Sequence, residues 1–216
     1  FSTFLGSTVA VLFSYYIYKK YPLGGAVKVI LFLPSVLPAI LLVMIFQTFA
    51  NEALPGYLNI IFGINVNPLF TDPNLRLPMV IFYSVWIGFG TQILIYTGSM
   101  EQISPSVIEA AKLDGVSPVR ELWSIVIPEV IPAINTFLIT GIAQIFINQA
   151  NLWSFFGQDV SSSDMTLGYY MFYLVNREGI SFGDYGYASA VGLCCTLVAI
   201  PLTFVVRHFL GKLEDR

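Results

Sequence analysis

The side chains that could do chemistry are few. His208 is the lone histidine and stands beside Arg207 near the end of an apolar run. The two cysteines are adjacent, Cys194-Cys195, inside the same run, and imply neither a disulfide framework nor a metal site. Gly211-Lys212 is followed by Leu213, and no glycine stands at the upstream position that a phosphate-binding loop requires, so the chain carries no motif for ATP hydrolysis. An intramembrane enzyme would want a nucleophile with its base, or a metal set, and one boundary histidine without a His–Glu cluster does not supply it. Two constellations remain. Gln144, Asn148 and Asn151 recur at i, i+4 and i+7 in an apolar run that ends at Trp153, which predicts one polar helical stripe. Such a stripe avoids lipid. Its amides could hydrogen-bond the hydroxyls of a polar solute along a pathway, with Trp153 or a tyrosine stacking on a sugar ring. Equally, they could bond across a helix bundle.

The second constellation runs from Ser104 to Pro132, the longest interval with charges of both signs and repeated helix punctuation. Ser104 can cap a first short helix with Pro105 in its first turn, and Ser106 with Glu109 offers an alternative capping box. Asp114-Gly115 is a stop signal, because glycine takes a left-handed position without a Cβ penalty. Ser117-Pro118 restarts the chain as a second helix, which Pro128 and Pro132 perturb. A helix of about nine residues does not hold alone in water and has to pack against something.

The elements that position these groups follow from composition. Hydrophobic residues make up 56% and charged residues 11%, where a soluble domain carries roughly 25% charged, and mean hydropathy is +0.75. These figures argue against a water-soluble fold, and a net charge of −3 with scattered basic residues argues against nucleic acid. Five runs approach the roughly 20 residues that a spanning helix needs: about Thr3 to Tyr18, Lys28 to Phe49, Leu77 to Met100, Ile131 to Trp153 and Tyr187 to Phe209. Gly88, Gly90, Thr91, Gln92 and Gly98 give the third a small-residue face suited to close helix packing. Tyr169, Tyr170 and Tyr173 suit an aromatic belt at the headgroup level or a docking surface.

Lys and Arg set the orientation. Lys19, Lys20, Lys28, Lys112, Arg120, Arg207, Lys212 and Arg216 fall on one side of these spans, and Arg76 and Arg177 on the other. The side with eight of the ten is expected to face the cytoplasm, so the chain starts outside and ends inside. It begins Phe-Ser-Thr-Phe-Leu, with no initiator Met and no signal-peptide pattern, and reads as starting within a longer protein.

Glu109-Ala110-Ala111, then Gly115, then Ile127-Pro128 resemble the cytoplasmic EAA loop of binding-protein-dependent ABC importer permeases. Leu31-Phe32-Leu33-Pro34-Ser35-Val36-Leu37-Pro38 is similar to the paired-proline span of the carbohydrate-type members, the maltose and multiple-sugar permeases. Asp72-Pro73-Asn74 with Leu77-Pro78, Ser84-Val85-Trp86, and the run from Phe182 to Ala190 match the same subfamily. The segment Phe155-Phe156-Gly157-Gln158-Asp159 departs from the subfamily's Gly-Gly-Pro run, which leaves the solute open.

The resemblance implies an all-α integral membrane protein with the type I ABC importer permease fold. Five transmembrane helices of a probable six would lie in residues 1–216, a permease domain incomplete at its N-terminus. Residues 101–130 would form the cytoplasmic coupling loop, with Glu109, Ala110, Ala111, Asp114, Gly115, Ile127 and Pro128 meeting the ATPase. Ala110 and Ala111 would allow close approach of the partner's backbone. The implied role is the transmembrane subunit of an ATP-driven importer of a sugar or oligosaccharide in a bacterial or archaeal cell membrane, not an enzyme. The chain itself would hold no cofactor, and two ATPase subunits would bind ATP and Mg. A second homologous permease and an extracellular or periplasmic solute-binding protein complete the expected partners, with the lipid bilayer around them. The alternatives are an importer of another polar solute, such as glycerol phosphate, and a secondary transporter or channel. The last would want ionisable residues within its spans.

Overall fold

The structure is a computed structural model that describes residues 2–214; Arg216, counted above for orientation, lies outside them. Among the described residues every regular element is helical. A backbone withdrawn from water has to pair its N–H and C=O groups within its own segment, which is why apolar runs of this length become helices. Four are long and apolar enough to cross a membrane: Ala39–Phe62, Pro73–Met100, Pro118–Ala143 and Phe182–Lys212. The first expected span is found as a shorter apolar helix, α1 (Ser2–Tyr18), whose 17 residues fall below that length.

Two expected spans have different limits. The run expected as one helix over 28–49 is divided into α2 (Gly24–Val36) and α3 (Ala39–Thr48). Pro38 stands between them in an extended conformation, φ −56° and ψ 129°. A proline drives the preceding residue out of the α region, so α2 stops short of Leu37. The helix then runs on from α3 through a π turn, Phe49–Ala53, into α4 (Leu54–Phe62). The span expected over 131–153 is displaced towards the N-terminus. It consists of α7 (Pro118–Glu121), a π turn at Leu122–Val126, and α8 (Ile127–Ala143).

Each π turn is followed, one residue on, by a proline, Pro55 in the first case and Pro128 in the second. A proline inside an α-helix loses a donor and presses its ring on the carbonyl four residues back. The wider turn moves the pairing out by one residue, with Leu54 N–H on Phe49 O and Ile127 N–H on Leu122 O. It gives the ring room without breaking the rod.

The chain forms two compact units. Unit 1 contains residues 2–36, 86–143 and 201–214 of the described chain, and unit 2 contains 37–85 and 144–200. In unit 1, α1 lies along the second half of α5 (Pro73–Met100). Ser14 Oγ donates to Ile93 O at 3.2 Å, and the Tyr96 hydroxyl donates to Ser7 Oγ at 3.1 Å. Ala10, Ile93, Tyr96, Met100, Val126 and Val130 are fully buried there. Of the small-residue face on α5, Gly90 makes the close approach, for a Cβ at that position would stand 2.5 Å from Leu31 O of α2. Gly88 and Gly98 face open space.

Unit 2 is centred on aromatic rings. Phe46 and Tyr83 meet at 5.2 Å, Tyr83 and Phe155 at 4.9 Å, and Phe70 and Phe155 at 5.3 Å. Polar side chains pin this cluster to the backbone. Gln47 Nε2 donates to Phe155 O at 2.8 Å, and Asn51 Oδ1 accepts from Phe70 N–H at 3.0 Å. The remaining helices of the chain are α6 (Pro105–Leu113), α9 (Leu152–Phe156), α10 (Leu167–Asn176) and α11 (Phe182–Glu214).

Candidate functional site

The interval from Ser104 folds as its punctuation predicts, with one exception. Ser104 occupies the cap position of α6 and Pro105 the first turn, but the serine side chain does not cap. Its Oγ pairs with Ser106 Oγ at 2.7 Å, so neither the Ser104 cap nor the Ser106–Glu109 box is closed by side chains. At the other end, Gly115 is left-handed at φ +68°. Its N–H bonds to Lys112 O at 3.1 Å, and Val116 N–H reaches back to Ala111 O at 3.0 Å. These two bonds form a complete Schellman stop. Ser117 then caps α7, accepting from Arg120 N–H at 3.4 Å.

α6 turns Ile108 and Ala111 inwards, where both are buried. Glu109, Ala110, Lys112, Asp114 and Gly115 are exposed. Ala111 therefore packs within the chain and is not on the outward face where it was expected with Ala110. Ile127 and Pro128 are not in the loop either. They open α8, beyond the π turn, with Ile127 half-buried and Pro128 exposed. The outward face gains residues that spacing did not single out: Leu113 is 89% exposed and Val119 68%. Large exposed apolar side chains beside a charged helix form a surface suited to contact with another molecule.

A clamp ties the return of this loop to α1. Lys19 Nζ lies 2.9 Å from both carboxylate oxygens of Glu121, and the Tyr15 hydroxyl donates to Pro118 O at 3.0 Å. The Glu121 side chain is 3% exposed and that of Lys19 17%. A carboxylate this deeply withdrawn needs such a partner. Sequence reasoning missed the pair because its members are 102 positions apart. The one local signal is an acid that opens an apolar helix.

The other candidates form no helical stripe. α8 ends at Ala143, and the chain turns through 144–151, with Ala150 and Asn151 both left-handed. Gln144 and Asn148 are exposed and Asn151 is half-buried. Asn148 Oδ1 accepts from Ala150 N–H at 2.7 Å, a bond within the turn. Asn151 begins α9 without a side-chain cap. Trp153 packs edge-on against Phe172 at 5.2 Å and beside Tyr169 at 6.2 Å. Gly168 sits so close to the backbone of Ile147 and Asn148 that a Cβ would collide with it. Tyr169 is fully buried and donates its hydroxyl to Gly157 O at 2.7 Å, so it belongs to no aromatic belt. Burial pushes its phenol above the ordinary value. Beyond α10, Arg177 pairs with Asp184 at 2.8 Å, and that hydrogen bond raises the guanidinium further.

The sequence profile of the binding-protein-dependent transport system inner membrane component matches residues 2–216. The chain belongs to that family. As a family member with several long apolar helices, it is a multi-pass protein of the bacterial inner membrane. It is similar to the maltose/maltodextrin transport system permease protein MalF of Vibrio vulnificus, with 27% identity over 84% of this chain and 36% of that one. It is also similar to the multiple sugar-binding transport system permease protein MsmF of Streptococcus mutans, with 25% identity over 84% of this chain and 61% of that one. The chain thus spans about a third of the length of the maltose relative. Among solved structures, it matches a bacterial alginate ABC transporter in complex with an alginate pentasaccharide-bound periplasmic protein. That match has a TM-score of 0.77 and 18% identity, and covers 99% of this chain and 77% of that one. The likeness shows the fold, and the all-α type I importer permease fold expected from the sequence is the fold found.

Proposed function

We propose that this inner membrane component is the permease subunit of an ATP-driven ABC importer for a sugar or oligosaccharide. It works by alternating access coupled to a partner ATPase. The observation that carries the reading is α6. It is a short helix pinned on one face by Ile108 and Ala111, stopped by a left-handed Gly115, and open on the other face at Glu109, Ala110, Leu113 and Asp114. That shape is suited to insertion in a cleft of another protein, with Glu109 and Asp114 offering charge to basic groups and Leu113 an apolar contact. The carbohydrate class is supported by the maltose, multiple-sugar and alginate systems among the similar proteins. In this reading two ATPase subunits bind ATP and Mg, a second permease completes the pathway, and an external solute-binding protein delivers the sugar. The side rich in Lys and Arg, all of it within unit 1 where described, faces the cytoplasm with α6. Gln144, Asn148, Asn151 and Trp153 remain our candidates for the solute path, as a turn rather than a helical stripe.

The test is solute uptake by the full-length protein assembled with its ATPase, alongside its abundance in the membrane. A Cβ at a left-handed position costs about 1–2 kcal/mol, so Gly115→Val distorts the stop, and Glu109→Lys reverses the charge offered to the partner. Both variants are expected in the membrane at near-normal levels, with uptake reduced at least tenfold. Normal uptake in both would make the loop a mere connector and remove the main support for the reading.

A further inference from the structure

We propose that an open cavity between α8 and α11 binds the headgroup of an anionic, hydroxyl-bearing phospholipid. The cavity, about 1010 Å³, lies in unit 1 at the end of the span Phe182–Lys212. Its α11 wall presents Arg207, His208 and Lys212. His208 and Lys212 are one helical turn apart, so they share a face. Among the described residues the ion pairs lie elsewhere, at Lys19–Glu121 and Arg177–Asp184, and no described carboxylate meets Arg207 or Lys212. Among the described residues the cavity therefore presents its positive charge without a paired carboxylate, at the level where the apolar span ends, the depth of lipid phosphates.

The opposite wall adds a second requirement. Thr136 and Thr140 stand one turn apart on α8 and line the same cavity. Each hydroxyl donates to its own helix, Thr136 Oγ1 to Pro132 O at 2.9 Å and Thr140 Oγ1 to Thr136 O at 2.8 Å. With their protons committed, the two oxygens offer lone pairs and call for hydroxyl donors from the ligand. A glycerol headgroup supplies those donors and its phosphodiester supplies the anion. At the floor, Asn135 donates to Leu210 O at 3.2 Å and holds the two helices together at this height. On the same wall Phe204 lines the cavity and is 64% exposed, an apolar surface for an acyl chain. A free phosphate ester would have no use for that surface, which is why the occupant is a lipid.

The inference needs only the family's membrane residence and stands apart from the solute carried. Full-length protein is incorporated in equimolar phosphatidylglycerol and phosphatidylcholine, released gently, and its retained lipids are counted by native mass spectrometry. The wild type and Lys28→Gln, a basic change outside the cavity, are expected to retain phosphatidylglycerol selectively. Each basic group at a membrane surface is worth roughly fivefold in affinity, so the double variant Arg207→Gln/Lys212→Gln should lose roughly 25-fold. Thr136→Val/Thr140→Val should keep the preference for an anionic lipid and, in a second mixture of phosphatidylglycerol and phosphatidate, lose the wild type's preference for phosphatidylglycerol. Equal retention of the two lipids by the wild type, or unchanged selectivity in the Arg207/Lys212 variant, overturns the proposal. So does displacement by excess glycerol 3-phosphate, which would assign the site to a soluble ester. Crosslinking of Phe204 to a second subunit in the lipid-free assembled complex would assign the cavity to that subunit and also overturn it.

Discussion

At the scale of single residues, Glu121 is the most demanding charged group among the described residues. It holds a carboxylate at 3% exposure, and Lys19 answers it from 2.9 Å on both oxygens while lying 5.9 Å from the Tyr15 ring. A withdrawn pair adds little net stability over two apolar residues, yet removing one partner leaves an uncompensated charge. Glu121→Ala is therefore expected to cost about 3 kcal/mol, read as a lower midpoint of thermal unfolding in detergent. Lys19→Met/Glu121→Leu should recover most of that loss, because it removes both charges. If the single and double changes destabilise equally, the pair is not what holds the loop return to α1. Apart from an acid that opens an apolar helix, nothing local in the sequence announces such a contact. Capping and turn signals act over three or four residues and were legible at Gly115 and Ser117, whereas the clamp is made by the fold as a whole.

At the scale of helices, length and hydropathy located the spans but not where two of them break. The break at Pro38 carried a visible residue; the one after Ala143 did not. Residues 143–152 contain neither glycine nor proline, and a turn of Ile, Phe and Ala has the hydropathy of a helix. Beyond Ala143 the chain leaves the helix for a turn with Asn148 Oδ1 on Ala150 N–H and left-handed Ala150 and Asn151, against which α10 packs through Gly168. The helical stripe at Gln144, Asn148 and Asn151 was lost for that reason. Glycines in α5 separate the two kinds of role. Gly90→Ala pushes a Cβ against Leu31 O at 2.5 Å, backbone that cannot rotate away, and is expected to destabilise by about 1–3 kcal/mol. Gly88→Ala, two residues away in open space, should be neutral or gain up to about 1 kcal/mol of helix propensity. Thermal unfolding of the two variants side by side decides it, and equal effects would mean that α2 and α5 do not meet as described.

For the whole molecule, the charge count and the division into units agree although they come from different properties. Lys19, Lys20, Lys28, Lys112, Arg120, Arg207 and Lys212 fall in unit 1, and Arg76 and Arg177 in unit 2. The expected sidedness is that unit 1 meets the cytoplasm. Single cysteines near Asn67 or Ser162, both exposed in unit 2, should react with an impermeant thiol reagent in cells whose outer barrier is open. Cysteines beside Lys112 should stay unmodified until the membrane is lysed. Modification near Lys112 in intact cells would reverse the topology and place α6 out of reach of any ATPase.

The Lys19–Glu121 clamp also orders events in time. A ribosome adding about 5–20 residues per second takes roughly 5–20 s to travel the 102 positions from one partner to the other. Throughout that interval Lys19 lacks this partner, and on the expected topology its charge would be available to hold the nascent helix in its proper sense against the insertion machinery. Once Glu121 emerges, the same charge is consumed in an internal bond. On that topology one lysine would serve first as an address during biogenesis and afterwards as a fastener in the finished protein.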